Sequence, residues 1–251
     1  LYNLKKLDTL DLNRCSLHQI EEGAFQDLDN IAYINLDDNN LEDLSSSLFD
    51  YSLPLESLSL KRNKLKVLKR DMFKGLSRLM FLYLDHNKLT NITEYSLVSL
   101  GRLSRLSASN NSITQLFDHS FADQKMLLDL DLSENRISKI GRAFQRFNKL
   151  QSLYLQRNNF KDIEWREFRY FKHLQILNLA DCNLTTVSSS AVMDIDTLRV
   201  VYLAKNPFDC GTCQMAWLRR LSMSILKMPQ DVVCFEPSKY LNRTLLCTYQ
   251  D

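Results

Sequence analysis

The chain has 251 residues, 45% of them hydrophobic, with 5 Gly and 4 Pro, and its 32 Lys and Arg against 30 Asp and Glu leave a net charge of +2. On bulk charge such a balance argues for no particular partner. No apolar run is long enough to cross a membrane.

Taken from the start, the opening "LYNLKK" matches the tail of a repeat, with Leu4 standing where Leu28, Leu76 and Leu100 stand in later copies. The chain is therefore expected to begin inside a longer protein and to lack an N-terminal cap, which terminal repeats need. The repeat itself starts at Leu7, Ile31, Leu55, Leu79, Leu103, Leu127, Leu150, Leu174 and Leu198, at intervals of 24 residues except for one of 23 between Leu127 and Leu150. Its clearest copy is "LMFLYLDHNKL", from Leu79 to Leu89. A fixed period of this length marks a solenoid, in which each coil buries its apolar residues only against its neighbours.

Alternating Leu-x-Leu predicts a short strand with one face inward, and stacked strands predict a parallel sheet lining the concave side. An apolar residue follows thirteen positions after each start: Ile20, Leu44, Leu68, Ile92, Leu116, Ile140, Ile163 and Val187. A further column carries Phe25, Phe49, Phe73, Phe121, Phe144 and Phe168, with Leu97 and Val192 in two copies, and predicts a spine of stacked rings inside the convex wall. The motif asparagines Asn39, Asn63, Asn87, Asn111, Asn135, Asn158 and Asn206 are expected to satisfy backbone groups of the neighbouring coil. Cys15 and Cys182 take that place in two copies and read as small buried residues rather than reactive thiols. Leu53 falls one place late before Pro54, which predicts a small distortion of the second coil.

The pattern resembles that of leucine-rich repeats, over about four fifths of the chain. The expected fold is an α/β solenoid: a curved, right-handed horseshoe with a parallel concave β-sheet. Residues 1–206 form one elongated domain of nine motif copies.

Residues 207–251 break the period with "NPFDCGTCQMAWL" and four cysteines, Cys210, Cys213, Cys234 and Cys247. The Asn-Pro-Phe, the close cysteine pair and Trp217-Leu218 resemble the C-terminal cysteine-rich cap of extracellular leucine-rich repeat proteins. Here two residues separate the first pair, where most family members have one. Four cysteines allow three pairings; the resemblance implies Cys210–Cys234 and Cys213–Cys247. A helix from Gln214 to about Ile225 is expected to lay Trp217, Leu218 and Leu221 over the last coil. Zinc would want a second close pair, and Cys234 and Cys247 are thirteen apart. Sequons at Asn91, Asn110, Asn183 and Asn242 join the cysteines in pointing to an oxidising, extracellular setting.

No catalytic or metal constellation is present: His18, His86, His119 and His173 fall in different coils, and neither a nucleophile elbow nor a phosphate loop occurs. Neither enzyme activity nor a cofactor is expected. The outward positions of the concave strands carry Tyr33, Lys61, Arg62, Phe81, Tyr83, Arg105, Tyr154, Arg157 and Tyr202, types that dominate binding energy at protein interfaces. Phe81, Tyr83, Arg105 and Tyr154 are the expected centre of a protein-binding face. The plainer alternative is that these rings cover one another along the sheet.

Charge is also patterned. From Glu21 to Asp50 nine acidic residues occur without a Lys or Arg, and from Lys61 to Arg78 eight basic residues face only Asp71. The basic band reads either as a dock for an acidic partner or sulfated glycan, or as a coil neutralised by its acidic neighbours. Nucleic acid is not expected, because the concave face also carries Asp11, Asp37, Asp38, Asp129, Asp131 and Glu134.

The repeat type and cap resemble the ectodomains of Toll-like receptors and of leucine-rich adhesion or guidance receptors. That resemblance implies protein recognition by a membrane-anchored or secreted extracellular protein, and leaves homo- or heterodimerisation open.

Overall fold

A computed structural model of the chain describes residues 4–49, 53–161, 163, 168, 170–187, 195–209, 225–227 and 232–236. Each motif copy yields three residues of strand: β1 (Thr9–Asp11), β2 (Tyr33–Asn35), β3 (Ser57–Ser59), β4 (Phe81–Tyr83), β6 (Arg105–Ser107), β8 (Asp129–Asp131), β9 (Ser152–Tyr154), β10 (Ile176–Asn178) and β11 (Val200–Tyr202). These lie side by side in chain order in one parallel sheet. Every strand pairs with its own copy in the next coil, so Leu10, Ile34, Leu58, Leu82 and Leu106 stand in one register column. All five are buried, and burying such a side chain contributes about 1.5–3 kcal/mol.

The expected asparagine ladder closes each turn. Asn87 Oδ1 accepts the Leu65 N–H at 3.0 Å, while its Nδ2 donates to the carbonyls of Leu60 at 2.9 Å and Leu84 at 3.0 Å. Asn39, Asn63, Asn111, Asn135 and Asn206 repeat this arrangement. Cys182 substitutes for the donor half: it is buried, and Sγ donates to the Leu155 carbonyl at 3.1 Å. Burial pushes its thiol pKa up to about 12. Cys15 departs from the expectation of burial. It is exposed, because the first coil has no described coil packed on its outer side.

Opposite the sheet the coils return through tight turns closed by bonds from residue i to i−3, as in Leu76 N–H to Phe73 O at 3.2 Å and Leu79 N–H to Leu76 O at 3.1 Å. Two short strands, β5 (Asn91–Ile92) and β7 (Gln115–Leu116), pair on the way. The six phenylalanines of the spine are all buried. Among the described residues their ring contacts fall into two groups, Phe25–Phe49 at 5.9 Å and a second group from Phe121 to Phe171. Buried Phe73 and Leu97 stand between them. The second group recruits Phe147 and Phe171, which the column did not contain: Phe147 lies 5.3 Å from Phe121 and 5.4 Å from Phe144. Leu53, the late residue of the second coil, is buried all the same.

The 23-residue coil loses its residue on this wall, since Ile140 precedes Phe144 by four places where Leu116 precedes Phe121 by five. Gly141 turns the shortened corner at φ +58°. Strand register is untouched, with Asp129 opposite Ser152 and Asp131 opposite Tyr154.

Cys210, Cys213, Cys247, Asn242, Trp217 and Val192 lie outside the described residues, so the implied disulfides and the capping helix do too. The segment after residue 207 nevertheless supplies β13 (Leu226–Lys227), which joins β11 as the tenth strand of the main sheet. It also supplies β14 (Cys234–Glu236), which pairs with β12 (Phe208–Asp209). The edge of the main sheet is thereby moved from a repeat strand to the two-residue β13, and a very short edge strand offers little for another chain to pair with.

Asn87→Ala strips partners from buried backbone groups of two coils, and is expected to cost about 3 kcal/mol or more in urea unfolding. Gly141→Ala is expected to cost about 1 kcal/mol in the same assay, from backbone strain alone. The space is there: an added Cβ would meet Asp118 Oδ1 at an ordinary 3.6 Å.

Candidate partner-binding face

The strand face opposite the core is a grid set by the register. One row, the third residue of each strand, reads Tyr83, Ser107, Asp131, Tyr154, Asn178, Tyr202. Strands are about 4.8 Å apart, so Tyr83 and Tyr154 stand roughly 14 Å apart with only Ser107 and Asp131 between them. The small serine leaves a hollow of about 220 Å³ lined by Lys61, Tyr83, Arg105, Ser107, Asp129, Asp131 and Tyr154. A second hollow, of about 390 Å³, opens where Ala180 and Ala204 are small, and includes Arg157, Tyr202, Gln156 and Asp181.

The first hollow gathers Lys61, Tyr83, Arg105 and Tyr154 of the residues singled out by sequence, and the second gathers Arg157 and Tyr202. Phe81 is half-buried between Ser57 and Arg105 in register and lines neither. Tyr33 also stands apart. Burial first, and then Asp37, raises its hydroxyl above the usual tyrosine range. Arg62 sits at the rim, 3.9 Å from Asp38.

Within the first hollow both cations are already engaged. Lys61 Nζ lies 3.5 Å from Asp85 Oδ2 and 4.4 Å from the centre of the Tyr83 ring. Arg105 Nη2 donates to Asp129 Oδ2 at 3.0 Å, and this bond raises the guanidinium pKa further. Asp85 lies beneath, only 6% exposed: Oδ1 accepts from Ser107 Oγ and from Ser109 Oγ at 2.8 Å, while Oδ2 has no hydrogen-bond donor. Asp131 Oδ1 accepts the Ser133 N–H at 2.9 Å. Its pKa is raised, chiefly by burial and additionally by Asp85 and Glu134. Sequence reasoning placed Asp131 on the face without giving it a role. The available signal was small Ser107 beside it in the row between two tyrosines.

Along one rim, the residue before each ladder position has φ between 50° and 60°: Arg14, Asp38, Arg62, His86, Asn110, Glu134, Arg157, Asp181 and Lys205, none of them glycine. That conformation costs roughly 1 kcal/mol each. It also turns the N–H toward the next coil, as in Arg62 N–H to Asp85 O at 2.9 Å and Arg157 N–H to Ala180 O at 3.0 Å. The rim side chains alternate in charge from Arg14 to Arg62 and again from Glu134 to Lys205, with Arg157 2.8 Å from Glu134 and 3.8 Å from Asp181. Asn110 belongs to this rim, its Nδ2 donating to Glu134 Oε2 at 2.9 Å.

Of the eight basic residues from Lys61 to Arg78, at least five are ion-paired among the described residues: Lys61, Arg62, Lys66 with Glu42 at 2.7 Å, Lys69 with Asp43, and Arg70 with Asp71. Four of the five reach carboxylates on adjacent coils, the neutralising arrangement that the sequence left as an alternative.

A family model described as leucine rich repeat matches residues 3–52, 54–113, 102–160 and 148–208. The chain belongs to the leucine-rich repeat family. Among solved structures, this leucine-rich repeat chain is similar to a chain of the Toll–Spatzle complex from Drosophila, at 21% identity and a TM-score of 0.73, over 95% of this chain and 37% of that one. It is similar to a chain of the octameric complex of latrophilin 3, Unc5D and FLRT2, at 19% identity and 0.74, over 96% and 81%. It is also similar to a chain of the mouse RP105/MD-1 complex, at 22% and 0.67, over 96% and 38%. The chain thus spans little more than a third of the matched Toll and RP105 complex chains. At these identities the likeness is one of fold.

Asp131 binds its proton more tightly folded than unfolded, so ionising it works against the fold as pH rises through its native titration. Asp131→Asn keeps the acceptor for Ser133. It is expected to melt about 1–3 °C above wild type at pH 7, with the gap closing as pH falls below the ordinary 3.8. Melting scans at the two pH values check this.

Proposed function

We propose that this chain is a ligand-binding part of the ectodomain of a cell-surface leucine-rich repeat receptor, taking a protein partner on its concave face in innate-immune or adhesion and guidance signalling. The observation that carries the reading is the hollow between Tyr83 and Tyr154, floored by Ser107 and Asp131 and walled by Lys61 and Arg105. Aromatic and arginine anchors around a preformed depression are what a protein hot spot requires. A stacked, hydrogen-bonded solenoid also loses little conformational entropy on docking. The similar solved structures are of complexes: Toll with Spatzle, FLRT2 with latrophilin 3 and Unc5D, RP105 with MD-1.

Extracellular placement is supported by the four sequons and by the cysteine-rich stretch 207–251, whose resemblance to a disulfide cap implies the bridges Cys210–Cys234 and Cys213–Cys247. Asn110 and Asn183 are exposed. A glycan on Asn110 would stand on the rim beside Glu134 and leave the opposite rim open to the partner. The alternative, a secreted matrix or immune protein holding a sulfated glycan at the basic band, has at least five of its eight cations already paired against it.

The test is capture from an array of secreted and cell-surface ectodomains. Tyr83→Ala with Tyr154→Ala is expected to weaken the captured protein's binding by at least about thirtyfold, with thermal melting nearly unchanged. Binding that survives this pair but is lost with Lys66→Ala and Lys69→Ala would move the site to the basic band.

A further inference from the structure

One carboxylate of the first hollow has no cation of its own. Two cations, Lys61 and Arg105, line it with Asp129 and Asp131, and each is already committed, Lys61 to Asp85 beneath the hollow and Arg105 to Asp129. Among the described residues no Lys or Arg lies within ion-pair distance of Asp131. A partner carboxylate entering here would have to break one of two existing ion pairs. A partner cation would find a carboxylate without a counter-charge.

The walls fit that occupant. Asp131 and Tyr154 are register neighbours on β8 and β9, so their side chains rise side by side at about 5 Å. Tyr83 already carries Lys61 over its ring, whereas no such cation lies over Tyr154 among the described residues. A carboxylate beside a free tyrosine face suits a guanidinium, which takes bidentate hydrogen bonds in its plane and stacks on a ring. The raised pKa of Asp131 adds that the fold holds this acid at a cost, as proteins do where a binding function repays it.

Resting on the concave-face reading above, we propose that the hollow beside Asp131 and Tyr154 receives a basic side chain of the protein partner, arginine above all.

Isotope-edited NMR of this chain with N-acetyl-arginine-N-methylamide and its neutral citrulline counterpart tests it. The arginine probe is expected to shift the Asp131 and Tyr154 amide signals and to bind about tenfold tighter than citrulline, a difference that Asp131→Asn abolishes. Equal binding of the two probes in wild type, or a preference for N-acetyl-glutamate-N-methylamide, overturns the proposal whether or not the variant folds. A selection of displayed peptides separates the two readings. Selected peptides that need Tyr83 and Tyr154 but carry no Arg or Lys would overturn the cation and leave the concave face standing. Failure to select any peptide that needs these tyrosines would remove both.

Discussion

The structure depends on the asparagine side chain that each coil lends to the one before it. A chain turning off a buried strand leaves N–H and C=O groups with nowhere to go, and leaving each unpaired costs about 1–3 kcal/mol. Asn63, for example, accepts from the Leu41 N–H and donates to the Leu36 carbonyl, both on the preceding coil. The bond exists only if consecutive turns are in phase, so it ties the strands into one register. That register is what makes the outer face a grid of rows and columns rather than a collection of loops.

The face inherits its chemistry from the grid. A serine between two tyrosines becomes a hollow because the row is straight, and a lysine on one coil reaches the aspartate of the next because the columns repeat. The surface pairs around the basic band contribute little to stability, since exposed ion pairs are typically worth under about 1 kcal/mol. They offset free charge along the band, whereas the partly buried Asp131 has no cation within ion-pair distance among the described residues.

The period, the sheet, the ladder and the phenylalanine column were legible in the sequence, because each is a residue type recurring at a fixed offset. What escaped depends on contacts between different offsets. Phe147 and Phe171 join the spine from a neighbouring column, where other coils carry Leu28, Leu76 or Leu100. The hollow needs small Ser107 more than it needs Phe81, and a search for large binding residues passes over a serine. The strand at Leu226–Lys227 has no repeat to announce it, and its pairing with β11 is purely tertiary.

The coil that is one residue short shows where this architecture keeps its measurements. The residue is lost at the Gly141 corner of the outer wall, yet the strands on either side meet Asp129 to Ser152 without a slip. Length is thus reckoned afresh from each strand, and an error made on the far side is not handed on. Insertions and deletions at such corners can be absorbed while the spacing of the concave strands stays intact. The two sides of the molecule are free to diverge at different rates.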